Sequence, residues 1–157
     1  MCIRDSPSPR GIVGNPNQNL RALVLDAMET GGQTLIFVNS RASAQKEARE
    51  LSKHIRRISE REGNEDIRSQ IENWEGISKL IAAASEGTTM SKALAESVSR
   101  GVGFHHAGLS SRQRRIIEDS FRMGNLAALV ATPTLAQGVN LPSRRVVIRD
   151  HRSCLLY

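Results

Sequence analysis

The chain has 157 residues, of which 39% are hydrophobic and only 3% aromatic, and its formal net charge is +6. This length predicts one domain with its own core, and aliphatic side chains must fill most of that core. The sequence contains no apolar run of eighteen residues and no secretory signal, which argues against the membrane-spanning and secreted classes. The two cysteines, Cys2 and Cys154, stand near the ends, so we expect no disulfide framework and an intracellular, cytoplasmic location.

Arginine supplies most of the positive charge, because lysine occurs only at positions 46, 53, 79 and 92. The planar guanidinium group suits phosphate oxygens, so an anionic polymer such as a nucleic acid is a predicted partner. A basic domain without such a partner explains the charge equally well.

The two ends of the sequence differ from the rest. Residues 1–14 include the proline-containing stretch MCIRDSPSPR and show no hydrophobic period, and residues 153–157 are similarly irregular. We interpret both as non-native or disordered tails and expect the folded domain to cover residues 15–152.

The first predicted elements are a helix and a strand. Apolar residues from Leu20 to Met28 repeat at helical spacing, and Gln33–Val38 has the composition of a buried strand that ends in polar residues. A second, amphipathic helix begins near Ser43, and its apolar stripe includes Ala44, Ala48, Leu51, Ile55 and Ile58. We interpret the charges of this helix as a solvated face.

Residues 60–100 have the pattern of a helical insertion. A charged break around Gly63 is followed by a long apolar stripe from Ile67 to Ala84, and a shorter helix is predicted for Ser91–Arg100. Trp74 lies in the long stripe. A single aromatic residue could stack on a nucleic-acid base, but a place in the core is the favoured interpretation.

A third strand is predicted for Val102–His105, within the sequence GVGFHHAGL that continues into Ser110. Adjacent histidines on a strand point to opposite faces and no cysteine or carboxylate cluster stands nearby, so we predict no metal site. Ser110 is a good helix N-cap. The arginines that follow, at positions 112, 114 and 115, suit either phosphate contact or ion pairs with Glu118 and Asp119.

The stretch Leu126–Ala131 predicts a strand buried on both faces, and Arg145–Ile148 predicts another. Between them lie the polar residues Thr132 and Thr134, and then Gly138 and Asn140. Such a segment is either a ligand-binding loop at the carboxyl end of a strand or an ordinary connection. Four strands separated by helices predict the α/β class with a mainly parallel sheet.

Three stretches resemble motifs of one enzyme family. FVNSR is similar to motif IV of the Ski2-like superfamily-two helicases, GVGFHHAGL to the motif that precedes motif V, and ATPTLAQGVNLP to motif V. The resemblance is strongest to the archaeal DNA-helicase branch related to the helicase half of polymerase theta. It implies a second RecA-like domain, that is, a P-loop NTPase-like three-layer sandwich with a helical insertion at about 60–100.

The resemblance also implies roles for individual residues. It assigns to the nucleic-acid path Asn39, Ser40, Arg41, Gly108, Leu109, Thr132 and Thr134. Gly138 and Asn140 would face the nucleotide cleft and couple it to that path. No catalytic residue and no metal ligand is assigned within this chain.

The sequence contains no G-x-x-x-x-G-K-[ST] phosphate loop, no DExH motif and no QxxGRxGR motif VI. In the family the first two belong to a first RecA-like domain, which with this one uses ATP and Mg²⁺. The resemblance therefore implies part of an ATP-dependent 3′-to-5′ helicase on single-stranded or forked nucleic acid, with DNA favoured, and an inactive fragment that holds no cofactor alone.

Three alternatives stay open at this point. One is a non-enzymatic basic α/β module that binds nucleic acid, and another is an RNA helicase of the same family. A small-molecule-binding doubly wound domain is disfavoured, because no glycine-rich loop follows a first strand.

Overall fold

The computed structural model describes residues 2–4, 16–137, 141, 143 and 145–149. The helices are α1 (Pro16–Glu29), α2 (Arg41–Glu62), α3 (Glu65–Ala83), α4 (Thr89–Val98) and α5 (Ser111–Arg122). The strands are β1 (Cys2–Arg4), β2 (Thr34–Phe37), β3 (Val102–His105), β4 (Ala128–Ala131) and β5 (Arg145–Ile148), and a 3₁₀ helix, Pro133–Gln137, follows β4. Within these ranges, every helix is too short or too polar to cross a membrane.

The strands form a sheet in the order β1-β5-β2-β4-β3. The pairs β5-β2, β2-β4 and β4-β3 are parallel, and only β1 runs antiparallel to its neighbour. The predicted α/β fold with a mainly parallel sheet is therefore confirmed. Residues 2–4 belong to the stretch that the sequence predicts to be a tail, and here they form the edge strand beside β5.

Strands β3 and β4 are mostly apolar because they are covered on both faces. All four residues of β3 and of β4 are buried, as are Leu126 and Ala127 just before β4. A strand enclosed in this way has no solvent face to reserve for polar side chains, so its sequence is a continuous apolar run rather than an alternation. The buried strand predicted for 126–131 is confirmed.

Helix α2 has a defined signal at each end. The Ser40 hydroxyl accepts a hydrogen bond from Ser43 N–H at 3.1 Å, and Gly63 ends the helix with a φ of +57°. The helix therefore extends to Glu62, into the segment that the sequence predicts to be a break. Its buried residues include Ala44, Ala48, Leu51 and Ile55, as the helical period predicts, and Ile58 is half-buried.

Helices α3 and α4 occupy the stretch predicted to be a helical insertion. Helix α3 packs mainly on α4 and also contacts α5. Its inward side chains include Trp74, which is only 3% exposed, so the core interpretation of this residue is confirmed. The indole ring lies against Gly101, where α4 gives way to β3.

Helices α4 and α5 begin side by side at a buried polar contact. Ser110 and Gln113 form a capping box at the start of α5, in which each side chain satisfies the other residue's N–H group. Gln113 then donates its remaining amide hydrogen bond to Ser91 at 2.7 Å. This contact fixes the amino end of the insertion helix α4 beside the turn that leads from β3 into α5.

Candidate nucleic-acid interface

The parallel register brings three polar segments to one edge of the sheet. Phe37 and His105, the last residues of β2 and β3, both pair with Ala131, the last residue of β4. Beyond this level the backbones remain joined, because Thr132 N–H donates to His105 O at 3.2 Å. Neighbouring strands are about 4.8 Å apart, so segments 39–41, 106–110 and 132–134 leave the sheet close together. We call this region the carboxyl edge.

Segment 39–41 leads from β2 into α2. Asn39, Ser40 and Arg41 are all exposed. The Ser40 hydroxyl is engaged in capping α2, where it also donates to the Ser43 hydroxyl at 2.9 Å. The first turn of a helix presents unpaired N–H groups and a positive dipole end, both of which favour a phosphate group.

Segment 106–110 is a tight turn held by His106. The His106 Nδ1 atom accepts from Gly108 N–H at 3.0 Å, and His106 O accepts from Leu109 N–H at 3.2 Å. The Leu109 side chain is 3% exposed and packs in the core. Leu109 therefore anchors the turn, and neither its N–H group nor its side chain is offered to solvent.

Gln45 of α2 supports the same turn from the other side. Its Nε2 atom lies 3.1 Å from His106 Nε2. Because His106 Nδ1 accepts a hydrogen bond, the neutral ring carries its proton on Nε2, and a flip of the amide lets Gln45 Oε1 accept that proton. No pattern in the sequence pointed to Gln45, since it is one of many polar residues on an amphipathic helix.

Arg41 and Gly108 meet at the carboxyl edge. A Cβ atom built on Gly108 would lie 2.9 Å from His106 Cε1 and 3.4 Å from Arg41 Nη1. Burial lowers the pKa of His106 from its ordinary value, and the nearby Arg41 guanidinium lowers it further. The Arg41 guanidinium of the FVNSR segment thus lies beside Gly108 of the GVGFHHAGL segment.

The third segment contains two threonines with different surroundings. Thr134 is exposed, whereas Thr132 is 8% exposed, and their hydroxyl oxygens are 3.1 Å apart. Thr132 O also accepts from Leu135 N–H at 3.1 Å. Of this pair only Thr134 presents its side chain at the surface, and Thr132 positions it.

Gly138 and Asn140, which the resemblance assigns to the nucleotide cleft, lie outside the described residues. Within the described part of the chain, no group of three or more His, Cys, Asp or Glu side chains could hold a metal ion.

The acidic residues of α5 already have partners. Glu118 Oε1 lies 2.7 Å from Nε2 of the buried His105, and Asp119 Oδ1 accepts from Arg122 at 2.8 Å. The ion pairs considered for the arginines at the start of α5 are thus not formed by these two carboxylates. Arg112 and Arg115 are exposed at the end of the helix nearest the carboxyl edge.

Acidification should destabilise the fold. Burial lowers the pKa of His106, and also that of His105 despite its contact with Glu118, below the ordinary value of 6.5. Below pH 6.5 the unfolded chain binds protons that the folded chain does not. The free energy of unfolding therefore keeps its full value above this pH and decreases as the pH falls below it. The slope is at most about 1.4 kcal/mol per pH unit for each proton.

Urea unfolding at several pH values checks this prediction. His106→Asn should flatten the pH dependence without abolishing it, because His105 still contributes. A free energy of unfolding that stays constant or rises on acidification would contradict the prediction.

The motifs have a counterpart in a family comparison. Residues 75–152 match the helicase conserved C-terminal domain. This match covers the GVGFHHAGL and ATPTLAQGVNLP segments together with β3, α5, β4 and β5. The class of the domain is therefore that of the helicase C-terminal, RecA-like domains.

Full-length relatives narrow the assignment. The chain is 44% identical over 140 residues to "ATP-dependent DNA helicase Hel308" of Methanocella arvoryzae. This alignment covers 85% of this chain and 17% of the relative. It is 39% identical over 149 residues to the protein of the same name from Pyrobaculum calidifontis. This second alignment covers 95% of this chain and 20% of the relative. The chain belongs to the Ski2-like superfamily-two helicases, in their archaeal branch, as the motifs predicted. It spans a fifth or less of the length of these relatives.

Proposed function

We propose that this chain is part of an ATP-dependent DNA helicase that translocates 3′ to 5′, and that it supplies the half of the motor that grips the single strand. The observation that carries the proposal is the meeting of three motif segments at the carboxyl edge, with Ser40, Arg41, Gly108 and Thr134 at the surface of the described residues. The Thr134 hydroxyl, the N–H groups at the start of α2 and the Arg41 guanidinium can hold phosphate oxygens without reading bases.

The rest of the motor would come from a first RecA-like domain of the same protein. We propose that ATP and Mg²⁺ bind between the two domains in the complete enzyme, with Gly138 and Asn140 on this domain's side. Bound ATP would supply the phosphoryl-transfer chemistry, while the residues of this chain hold the strand. Single-stranded or forked DNA is the proposed substrate, and the protein would act inside the cell.

DNA is favoured over RNA because the similar proteins from Methanocella and Pyrobaculum are both named DNA helicases. The alternative of a nucleic-acid-binding module without ATP chemistry would need the same carboxyl edge. It differs in one respect, since binding of a strand would then have no effect on ATP turnover. The test below separates the two.

Thr134→Ala in the full-length protein should weaken single-strand affinity about threefold to tenfold, because a charge-assisted hydrogen bond contributes about 1.5–3 kcal/mol when buried and less when exposed. Asn140→Ala should leave this affinity unchanged and reduce the stimulation of ATP hydrolysis by DNA. Fluorescence anisotropy with a labelled oligonucleotide measures the first quantity, and steady-state phosphate release measures the second.

Thr30→Ala is the matched control, since Thr30 is an exposed threonine in the turn after α1, at the opposite edge of the sheet. Equal DNA affinity and equal DNA-stimulated ATPase in the Thr134 and Thr30 variants would count against the assignment of Thr134. DNA binding with no ATPase activity in the full-length protein would favour the non-enzymatic module.

A further inference from the structure

Helix α2 has a row of basic side chains along its outer face. Lys46, Arg49, Lys53 and Arg57 follow one another at intervals of three or four residues, and all four are exposed. This spacing places them on one side of the helix. At 1.5 Å per residue the row is about 16 Å long, which is roughly the length of five stacked nucleotides. We call these four residues the α2 row.

The acidic residues near the row do not neutralise it. Arg49 has only a loose contact with Glu50, at 3.7 Å between two exposed side chains. Glu60 is engaged with Arg56 at 2.7 Å, and Glu47 forms an ion pair with Arg149. The α2 row therefore keeps a surplus of positive charge, and its natural complement is a chain of anions at regular intervals.

A groove beside the row contains a further arginine, which is paired with a carboxylate. It lies between α2 and α4, has a volume of about 220 Å³, and is lined by Lys46 and Arg49 on one side and by Arg100 and Glu96 on the other. Arg100 Nη2 pairs with Glu96 at 3.0 Å, while its Nη1 is buried without a hydrogen-bond partner among the described residues. An oxygen acceptor entering the groove would satisfy this donor.

The serine hydroxyls that line the groove are already engaged. The Ser52 hydroxyl donates to Arg49 O and the Ser97 hydroxyl donates to Val102 O, each at 2.8 Å. With these hydroxyls occupied, the remaining donors of the groove are the cations of its rim and the amide of Gln45. Such a surface suits phosphate groups in series rather than one specific small molecule.

The groove is continuous with the carboxyl edge. The residues that line it include Ala42 and Gln45. Both belong to the first turns of α2, directly after Arg41. Gln45 also contacts His106, the residue that holds the Gly108 turn. A strand held at Arg41 and Gly108 can therefore continue along α2 without leaving the surface.

We infer that the α2 row and the adjoining groove bind the phosphodiester backbone of the single strand where it extends beyond the carboxyl edge. This inference rests on the proposed function and adds a second contact region to it. Phosphate contacts of this kind would lengthen the binding site without introducing sequence preference.

The experiment compares two lengths of oligonucleotide, of about six and about twelve nucleotides, in the full-length protein. The charge reversal K46E/R49E should weaken binding of the long oligonucleotide at least about tenfold and leave the short one within about twofold. It should also reduce the slope of log Kd against log salt concentration by about 1.4, because each phosphate contact on a single strand contributes about 0.7.

The matched control is R68E/K79E, which makes the same chemical change at two exposed positions of α3. If the charge reversal disturbs folding, the neutral variant K46Q/R49Q provides a second test of binding. Thermal unfolding checks that each variant is folded. Long-oligonucleotide binding by K46E/R49E and K46Q/R49Q equal to that of the control would overturn the inference, and would identify the row as a solvated face.

Failure of the inference is distinguishable from failure of the proposed function. If Thr134→Ala weakens binding of both lengths while neither row variant has an effect, only the inference fails. If the full-length wild-type protein binds neither oligonucleotide at low salt, both fail. Inorganic phosphate at the same ionic strength should not compete for the row, since the inferred ligand is a series of linked phosphates.

Discussion

Gly101→Ala should lower the free energy of unfolding by about 2–5 kcal/mol, measured by denaturant titration. Two effects add at this position. The φ of Gly101 is +91°, a conformation that disfavours a side chain, and an added Cβ would lie 2.7 Å from Cζ2 of the buried Trp74. Neither can relax easily, because Gly101 O accepts from Ala127 N–H at 2.8 Å and so fixes the start of the sheet.

Gly124→Ala separates the two effects. Gly124 also has a positive φ, of +80°, but an added Cβ there would meet nothing within 4 Å. Its substitution should lose only the backbone contribution, about 1–2 kcal/mol. Combining Gly101→Ala with Trp74→Leu should recover part of the loss in a double-mutant cycle. Equal losses for the two glycine variants would show that the contact with the indole is not a cause.

Gly108→Ala should weaken single-strand binding at least about tenfold, or roughly 1.4 kcal/mol, through the shape of the turn. The backbone conformation of Gly108 allows a side chain, so the effect comes from the neighbours. An added Cβ would lie 2.9 Å from Cε1 and 3.0 Å from Nδ1 of His106. The His106 ring is 1% exposed and stacks on Phe104 with 5.6 Å between ring centroids, so the turn must move instead.

Ala107→Ser is the control for this prediction, because Ala107 is the exposed neighbour in the same turn and should tolerate a hydroxyl. Fluorescence anisotropy measures binding by the full-length variants, and chemical unfolding measures their stability. A Gly108→Ala variant that is destabilised but binds the strand as well as the wild type would show that the turn supports the fold only.

The local sequence pattern is sufficient to predict most of the helices and strands. The apolar run at 126–131 predicted a buried strand because a strand that is covered on both faces has no polar alternation, and the stripe from Ala44 to Ile55 predicted a helix because its period is 3.6. Helix ends were less predictable. The charged residues before Gly63 suggested a break, but they continue α2 until Gly63 adopts its positive φ.

The sequence predicted which segments form the candidate site, but not which of their side chains are exposed. The motifs identified 39–41, 108–109 and 132–134, and the parallel register places all three at one edge. Which side chains face outward was decided by packing. Leu109 and Thr132 are buried while Thr134 is exposed, although nothing in the local sequence distinguishes the two threonines.

The sequence by itself determined the family, the strand and helix pattern, and the segments that the motifs assign to nucleic acid, because these depend on residues close together along the chain. The tertiary structure decided the contact of Gln45 with His106, the packing of Trp74 on Gly101, and the alignment of the α2 row with the carboxyl edge. The physical reason is that periodicity fixes which way a side chain points from its own element. Only the packing of elements fixes what that side chain meets, and it joins residues that are far apart in the chain.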